Sequence, residues 1–203
     1  MKIGFFGHSA ARWDTGSASE RINKYFSEHT LDWHGVPYGS VQRMSYDLEK
    51  HCHKYDLLIL FYSSSSNIYC PSWDRDLNIY DMNRFLRRKD DSYDDWFSKK
   101  FSQAKNIDLD YLHKTIYDYL NYWLLPKHHR TELLLFYVQK IKHLVKGKHV
   151  IHAPQEPRFV KQVITGGYFS EPLTKLSREI IKSDQYESIV KKEIELYITS
   201  HGL

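Results

Sequence analysis

Three short apolar runs stand out along the chain, at 2–6, 57–62 and 149–153. The run 57–62 is aliphatic or aromatic at every position, which is typical of a strand buried on both faces of a parallel sheet. A fourth segment, 30–34, has the length of another short strand. The pattern predicts neighbouring parallel strands at the three apolar runs, with 30–34 as a further strand.

Amphipathic segments alternate with these runs and predict helices. Ile22, Tyr25 and Phe26 have helical spacing, and Ser17 with Glu20 matches a capping box, so a helix is expected from about residue 18 onward to 29. Further stripes with the same spacing occur at 44–52, 133–145 and 190–198. Strands that alternate with helices favour a parallel α/β sheet.

The chain is expected to form one domain, 1–203, because it has neither an internal repeat nor a clear linker. The segment from about 71 to 146 differs from the rest, since 71–95 is polar with mixed charge and a helical pattern follows it. We therefore expect a three-layer α/β/α sandwich with a parallel sheet and a helical insertion between the third and fourth strands. Residues 155–172 hold two successive glycines and two prolines, and they are predicted as mostly loop.

Composition narrows the class of protein. Hydrophobic side chains make up 41% of the 203 residues and aromatic ones 15%, which supports a folded core. The net charge of +4 is small for a dedicated nucleic-acid binder, and two cysteines do not indicate a disulfide framework. The sequence shows neither a signal peptide nor the run of ~18 apolar residues that a membrane span needs. A cytoplasmic protein without cofactor, membrane or nucleic-acid partner is expected.

Short motifs lie beside the predicted strands. Gly7-His8-Ser9 follows the first strand, Gly39-Ser40 precedes a predicted helix, Asp56 opens the third strand, and the serine loop, 63–66, leaves it. In this order, residues 1–66 resemble the front half of the SGNH (GDSL-type) ester hydrolases. The resemblance implies an α/β/α sandwich whose catalytic serine follows the first strand.

The resemblance also implies roles for individual residues. Ser9 takes the place of the nucleophile, and Gly39 that of a backbone donor to the oxyanion. The oxyanion asparagine of the family falls near Ser65, and Asn67 lies two positions further on. His8 stands where the family has an aspartate. These roles imply a serine esterase or deacetylase that acts on an acylated small molecule or a carbohydrate.

The general base of the family pattern is also missing from its expected place. The family has an Asp-x-x-His block just before its last helix, where residues 183–187 read Ser-Asp-Gln-Tyr-Glu. A serine hydroxyl is a weak nucleophile without an adjacent base. His152 is the first candidate for the base, because parallel strands end at the same edge of the sheet. His8, next to Ser9, is the second.

Each of these residues also has a structural interpretation. Ser9 can cap the turn that follows it, and His152 can be a buried strand residue whose ring is hydrogen-bonded. Asn67 suits an Asx turn and Gly39 an ordinary turn. Both sets of interpretations stay open at the level of sequence.

Two further clusters are interpreted as structural. The triplet His51-Cys52-His53, even with Cys70, lacks the paired short spacings of zinc sites, so no metal site is expected. The basic segment 127–161 offers contacts to phosphates or to an acidic partner. We interpret the segment as a solvent-exposed helix face, because most runs of charged residues have that role.

Two classes of function follow from the sequence. The eroded catalytic set favours a non-catalytic binding or assembly module, and a module encoded by a virus or phage would fit this class. The retained Ser9 and Gly39 favour the serine ester hydrolase. A small acylated molecule, a carbohydrate or a protein is the expected partner.

Overall fold

The computed structural model describes residues 1–11, 17–36, 39–70, 75–78 and 127–203, with 114 and 118 as single helical positions. Within these residues the backbone forms seven strands. In chain order they are β1 (Lys2–Gly7), β2 (Thr30–Gly35), β3 (Leu57–Tyr62), β4 (Asn67–Cys70), β5 (Arg75–Asn78), β6 (His149–Pro154) and β7 (Tyr168–Phe169).

Five of the strands form one parallel sheet in the order β2-β1-β3-β6-β7. The prediction that the three apolar runs are neighbouring parallel strands is confirmed, since β3 lies between β1 and β6. All six residues of β3 are buried, as its apolar sequence requires. Gly7 is level with Phe61, and Tyr62 with Pro154, so the three strands end at one edge. Strands β4 and β5 form a separate antiparallel hairpin.

Seven α-helices lie in the described part of the chain. They are α1 (Ser17–Tyr25), α2 (Val41–His51), α3 (Lys127–Leu144), α4 (Pro157–Val163), α5 (Glu171–Thr174), α6 (Arg178–Ile181) and α7 (Asp184–His201). Helix α2 begins after Ser40, whose Oγ accepts the Arg43 N–H at 3.1 Å. Helix α7 ends at Gly202, which has a left-handed φ of 64°.

The helices cover both faces of the sheet. On one face, α1, the turn that follows it and α7 pack through side chains that are buried against β1, β3 and β6: Ile22, Phe26, Tyr186, Val190, Ile194 and Tyr197. On the other face, α2 and α3 contribute Val41, Met44, Leu48, Leu134, Val138 and Ile141. Each large apolar side chain buried in this way contributes about 1.5–3 kcal/mol. The architecture is therefore the predicted three-layer α/β/α sandwich.

Two segments differ from their predictions. Residues 155–172 were expected to be mostly loop, but they contain α4, β7 and the start of α5. Pro157 begins α4, because proline suits the first turn of a helix. The serine loop leads directly into the hairpin of β4 and β5, which was not predicted because each strand has only four residues.

The predicted helical insertion is only partly described. Between β3 and β6, the structure places the β4–β5 hairpin and the long helix α3. Most of the range 79–126 lies outside the described residues. Among the helices that are described, none has the length and apolar character needed to cross a bilayer.

Candidate functional site

The carboxyl edge of the sheet is the place where this topology positions a ligand site. In the order β2-β1-β3-β6-β7, the chain runs from β1 to β2 on one side and then returns past β1 to β3 on the other, so β1 and β3 flank a switch point. Doubly wound sheets bind ligands in the crevice beside such a point. The segment after β1 and the serine loop after β3 both start at this edge.

Two glycines bring the segment after β1 and the loop before α2 together. Gly7 has a φ of +126°, and a Cβ built there would lie 2.0 Å from the Phe61 carbonyl oxygen. A Cβ on Gly39 would lie 2.4 Å from the Gly7 carbonyl oxygen and 3.1 Å from the His8 Cα. Only glycine permits such close backbone approach. Gly39 is thus next to the segment that carries Ser9.

His8 has a structural role at this point. Its ring is buried with its edge toward Phe61, and Nδ1 accepts the Ala10 N–H at 3.3 Å. Burial lowers the pKa of His8 to about 4, so the ring is neutral near pH 7. The following residues, Ser9–Ala11, form a single turn of 3-10 helix in which Ser9 is half-exposed. Among the described residues, no hydrogen bond joins Ser9 to an imidazole.

His152 lies elsewhere. It is level with Leu60 and, across β3, with Phe6, three residues before Ser9. Two strand spacings, about 10 Å, separate its strand from β1. Its Nδ1 is 2.8 Å from the Tyr62 hydroxyl, and Phe169 packs on its ring.

His152 is therefore on the sheet face covered by α2 and α3, whereas the Phe61 ring that contacts His8 is on the opposite face. Burial lowers the pKa of His152 to about 4. The alternation of strand side chains is the sequence signal for this placement, since it separates His152 from Ile151 and Ala153. The structure does not bring His152 to Ser9.

The start of α7 occupies the place of the family's Asp-x-x-His block, and its acidic side chains form ion pairs with helix α1. Asp184 and Glu187 have the spacing of that block, and both bind Arg21 of α1, with 2.8 Å between Asp184 Oδ1 and the guanidinium. Between them, the buried hydroxyl of Tyr186 donates to the Ala10 carbonyl. This segment therefore ties α7 to α1 and to the turn that carries Ser9.

The predicted oxyanion donors have partners inside the protein. The Gly39 N–H donates to the Val36 carbonyl at 3.0 Å. The Ser65 N–H donates to Glu156 Oε2 at 2.8 Å. The side-chain oxygen of Asn67 accepts from Asn78 Nδ2 at 2.8 Å, within the β4–β5 hairpin.

Asp76 of the hairpin is a residue at this edge that sequence reasoning missed. Its Oδ1 accepts the Ser40 N–H at 2.8 Å, so a carboxylate lies at the N-terminus of α2. Partial burial raises the pKa of Asp76 despite this hydrogen bond. A tertiary contact between a hairpin and a helix leaves no local signal in the sequence.

A narrow cleft lies between the serine loop, the start of α2 and helix α3. Its polar wall consists of Gln42, Ser64, Ser65, Asn67, Arg130 and Tyr137. Ser63, next to this wall, is buried, and its Oγ has no hydrogen-bond partner among the described residues. Two of the predicted site residues, Ser65 and Asn67, therefore line this cleft. Ser9 is not among the described residues that line it.

Comparison with protein-family models, with curated proteins and with solved structures yields no match. The relationship to the SGNH hydrolases therefore stays a prediction from the motifs. Within the described residues, no group of three or more His, Cys, Asp or Glu side chains is placed to hold a metal ion. Cys52 is a buried free thiol whose sulfur lies 3.7 Å from the Leu144 carbonyl oxygen.

Proposed function

We propose that this chain is a non-catalytic binding module, built on an SGNH-like α/β/α sandwich, that holds a small acylated or carbohydrate ligand at the carboxyl edge of its sheet. The observation that carries the proposal is the placement of His152. The best candidate for a base is hydrogen-bonded to Tyr62 on the far side of β3, and Ser9 is left without an imidazole partner among the described residues.

The hydrogen bonds of the edge support the same proposal. An oxyanion hole works through donors that are directed at the reacting oxygen, and losing one such donor costs about 10²–10³ in rate. Here the backbone N–H groups of Gly39 and Ser65 already donate hydrogen bonds to the Val36 carbonyl and to the Glu156 carboxylate. Removing the base and the donors together takes away most of what activates a serine.

The polar cleft supports ligand binding in place of catalysis. Hydroxyl and amide side chains line it, and these groups both donate and accept hydrogen bonds. Beside the cleft, the buried Oγ of Ser63 has no hydrogen-bond partner among the described residues, and a ligand or water satisfies such an atom. A serine hydrolase is the second candidate function, and the contact of Gly39 with Gly7 and His8 favours it.

Labelling with a fluorophosphonate probe distinguishes the two functions, because the probe reacts with activated serines. The full chain is compared with Ser9→Ala and with Ser27→Ala, which removes an exposed hydroxyl in the turn between α1 and the start of β2, at the opposite edge of the sheet. We expect all three proteins to remain unlabelled under conditions that label an active serine esterase. Strong labelling of the wild type and of Ser27→Ala, lost in Ser9→Ala, would overturn the proposal in favour of the hydrolase.

A further inference from the structure

Strand β2 is an outer strand of the sheet, and its ladder to β1 fixes which of its backbone groups face outward. The Thr30 N–H donates to the Met1 carbonyl at 3.1 Å. The Val36 N–H donates to the Gly7 carbonyl at 3.2 Å. Because residues alternate in direction along a strand, the even-numbered residues between these two also face β1. Three residues of β2 therefore direct both their N–H and their C=O groups away from the sheet: Leu31, Trp33 and Gly35.

The open side of β2, meaning these outward backbone groups of Leu31, Trp33 and Gly35, is regular and unprotected. Within the described part of the chain, no other strand pairs with it. The strand pairs with β1 over all six residues without a bulge, and its sequence contains neither lysine nor proline. Proteins usually block an open outer strand with those residues, with a bulge or by making the strand very short. The outer strand at the other end of the sheet, β7, has only two residues.

A second copy of this chain matches the open side of β2 residue by residue. Identical strands related by a two-fold axis pair in antiparallel orientation. With the axis at Trp33, this residue faces its own counterpart, and Leu31 faces Gly35 of the second copy. Each facing pair exchanges two hydrogen bonds, so every outward group of both strands is satisfied. An axis at Asp32 or at His34 leaves one of the three outward residues outside the ladder.

The side chains on the α2 face of β2 favour the same register. With the axis at Trp33, Asp32 faces His34 of the second copy on both sides of the axis. Opposite residues of such a pair have Cβ atoms about 4.5–5.5 Å apart, so a carboxylate meets an imidazole. An axis at Asp32 would place two carboxylates together, which is destabilising. Asp32 is exposed and His34 is half-buried, so both are accessible to a partner.

The side chains of β2 are held in position by their own chain. The hydroxyl of Tyr55 donates to Asp32 Oδ2 at 2.9 Å and lies 2.6 Å from His34 Nε2. On the other face, the ring of Trp33 stacks on Phe5 with 3.8 Å between the centroids. Ordering these side chains on association therefore costs little conformational entropy.

We infer that this chain forms a two-fold dimer through the open side of β2, in which the two five-stranded sheets join into one continuous sheet and Asp32 contacts His34 of the second copy. None of the described residues that line the cleft beside the serine loop belongs to β2. The dimer is thus an interaction surface separate from the ligand site, and it does not depend on the proposed function.

Two measurements on the wild-type full chain test the inference. Sedimentation equilibrium over a range of protein concentrations gives the Kd of the dimer, and hydrogen exchange followed by NMR locates the interface. The Trp33 amide faces outward and should exchange at least about tenfold more slowly at high protein concentration than at low concentration. The His34 amide faces β1 and should be protected at every concentration.

Charge exchange tests the register, in variants that circular dichroism shows to be folded. Asp32→Lys removes the carboxylate and places a cation opposite the imidazole, whereas His34→Asp places a carboxylate opposite Asp32 of the second copy. Each change should raise the dimer Kd at least about tenfold. The double variant has opposite charges across the axis again and should recover most of the affinity. Glu132→Lys makes the same charge reversal on the exposed surface of α3 and should leave the Kd unchanged.

Three results on the wild type or the single variants would overturn the inference: a wild type that is monomeric at every concentration reached, a dimer whose Kd neither single change affects, or a Trp33 amide that is protected in the monomer. The last result would show that the open side of β2 is covered within one chain. A folded double variant that stays as weak as the single variants would overturn the register through Trp33. Dimerisation that protects the Trp33 amide and is recovered by the double variant supports the inference.

Discussion

The hydroxyl of Tyr62 and Nδ1 of His152 lie 2.8 Å apart in the interior between the sheet and its helices. Burial lowers the pKa of His152 to about 4 and raises that of Tyr62, so both side chains are neutral near pH 7. Gly167 lies over the same ring, since a Cβ there would be 3.1 Å from Nε2. His152 is thus enclosed as part of the core.

Tyr62→Phe should therefore destabilise the fold. The substitution leaves Nδ1 of the buried His152 without its partner, which costs about 1–3 kcal/mol. Tyr25→Phe is the control, because the hydroxyl of Tyr25 contacts Glu195 at an exposed site and its loss should stay within about 0.5 kcal/mol. Urea denaturation measures both. Equal unfolding free energies of the two variants would show that the hydrogen bond between Tyr62 and His152 does not stabilise the fold.

Acidification should weaken the fold through His8 and His152. The unfolded chain protonates these histidines near pH 6.5, whereas burial holds both folded pKa values at about 4. The unfolded state therefore binds more protons between these values, and stability falls as the pH drops from about 6.5 to 4, by up to about 3 kcal/mol for each histidine.

The slope of the unfolding free energy against pH, from urea denaturation at several pH values, checks this expectation. His152→Gln removes one titrating group and should flatten the slope over that window. The exposed His53→Gln serves as the control and should keep the wild-type slope. A wild-type protein whose stability is constant from pH 6.5 to 4 would contradict the burial of these two rings.

Gly7→Ala should prevent the strand end from forming. The new Cβ would meet the Phe61 carbonyl oxygen at 2.0 Å, and the φ of +126° is unfavourable for alanine. We expect the free energy of unfolding to fall by at least about 3 kcal/mol, since backbone strain and overpacking both contribute. Gly147→Ala also has a positive φ but has open space around its Cβ, so it should cost only about 1 kcal/mol. Thermal unfolding of the two variants separates the effect of the close contact at Gly7 from that of backbone strain alone at Gly147. Equal losses of stability in the two variants would contradict the close approach of Gly7 to Phe61.

The centre of the sheet could be predicted from sequence because β1 and β3 are almost entirely apolar and β6 has an apolar core. The runs 57–62 and 149–153 agree with β3 and β6 to within one residue. Helix α4 was missed because it is short and begins among prolines and polar residues. The β4–β5 hairpin was missed because its strands have only four residues each and β5 is mostly polar.

The candidate site was less accessible to sequence reasoning. Local motifs suggested the contact between Gly39 and the end of β1, but hydrogen bonds between distant elements decide what the site can do. Asp76 on the Ser40 N–H and Glu156 on the Ser65 N–H join residues far apart in the chain. Neither contact leaves a pattern in the local sequence.

Turnover of p-nitrophenyl acetate near neutral pH tests the central claim, that Ser9 has no working base, most directly. The wild type, Ser9→Ala and His152→Ala are compared after circular dichroism has shown that each is folded. We expect the same negligible rate from all three, since His152 is hydrogen-bonded to Tyr62 and not to Ser9. Robust wild-type turnover that falls by orders of magnitude in folded Ser9→Ala or His152→Ala would contradict the claim and restore the serine hydrolase.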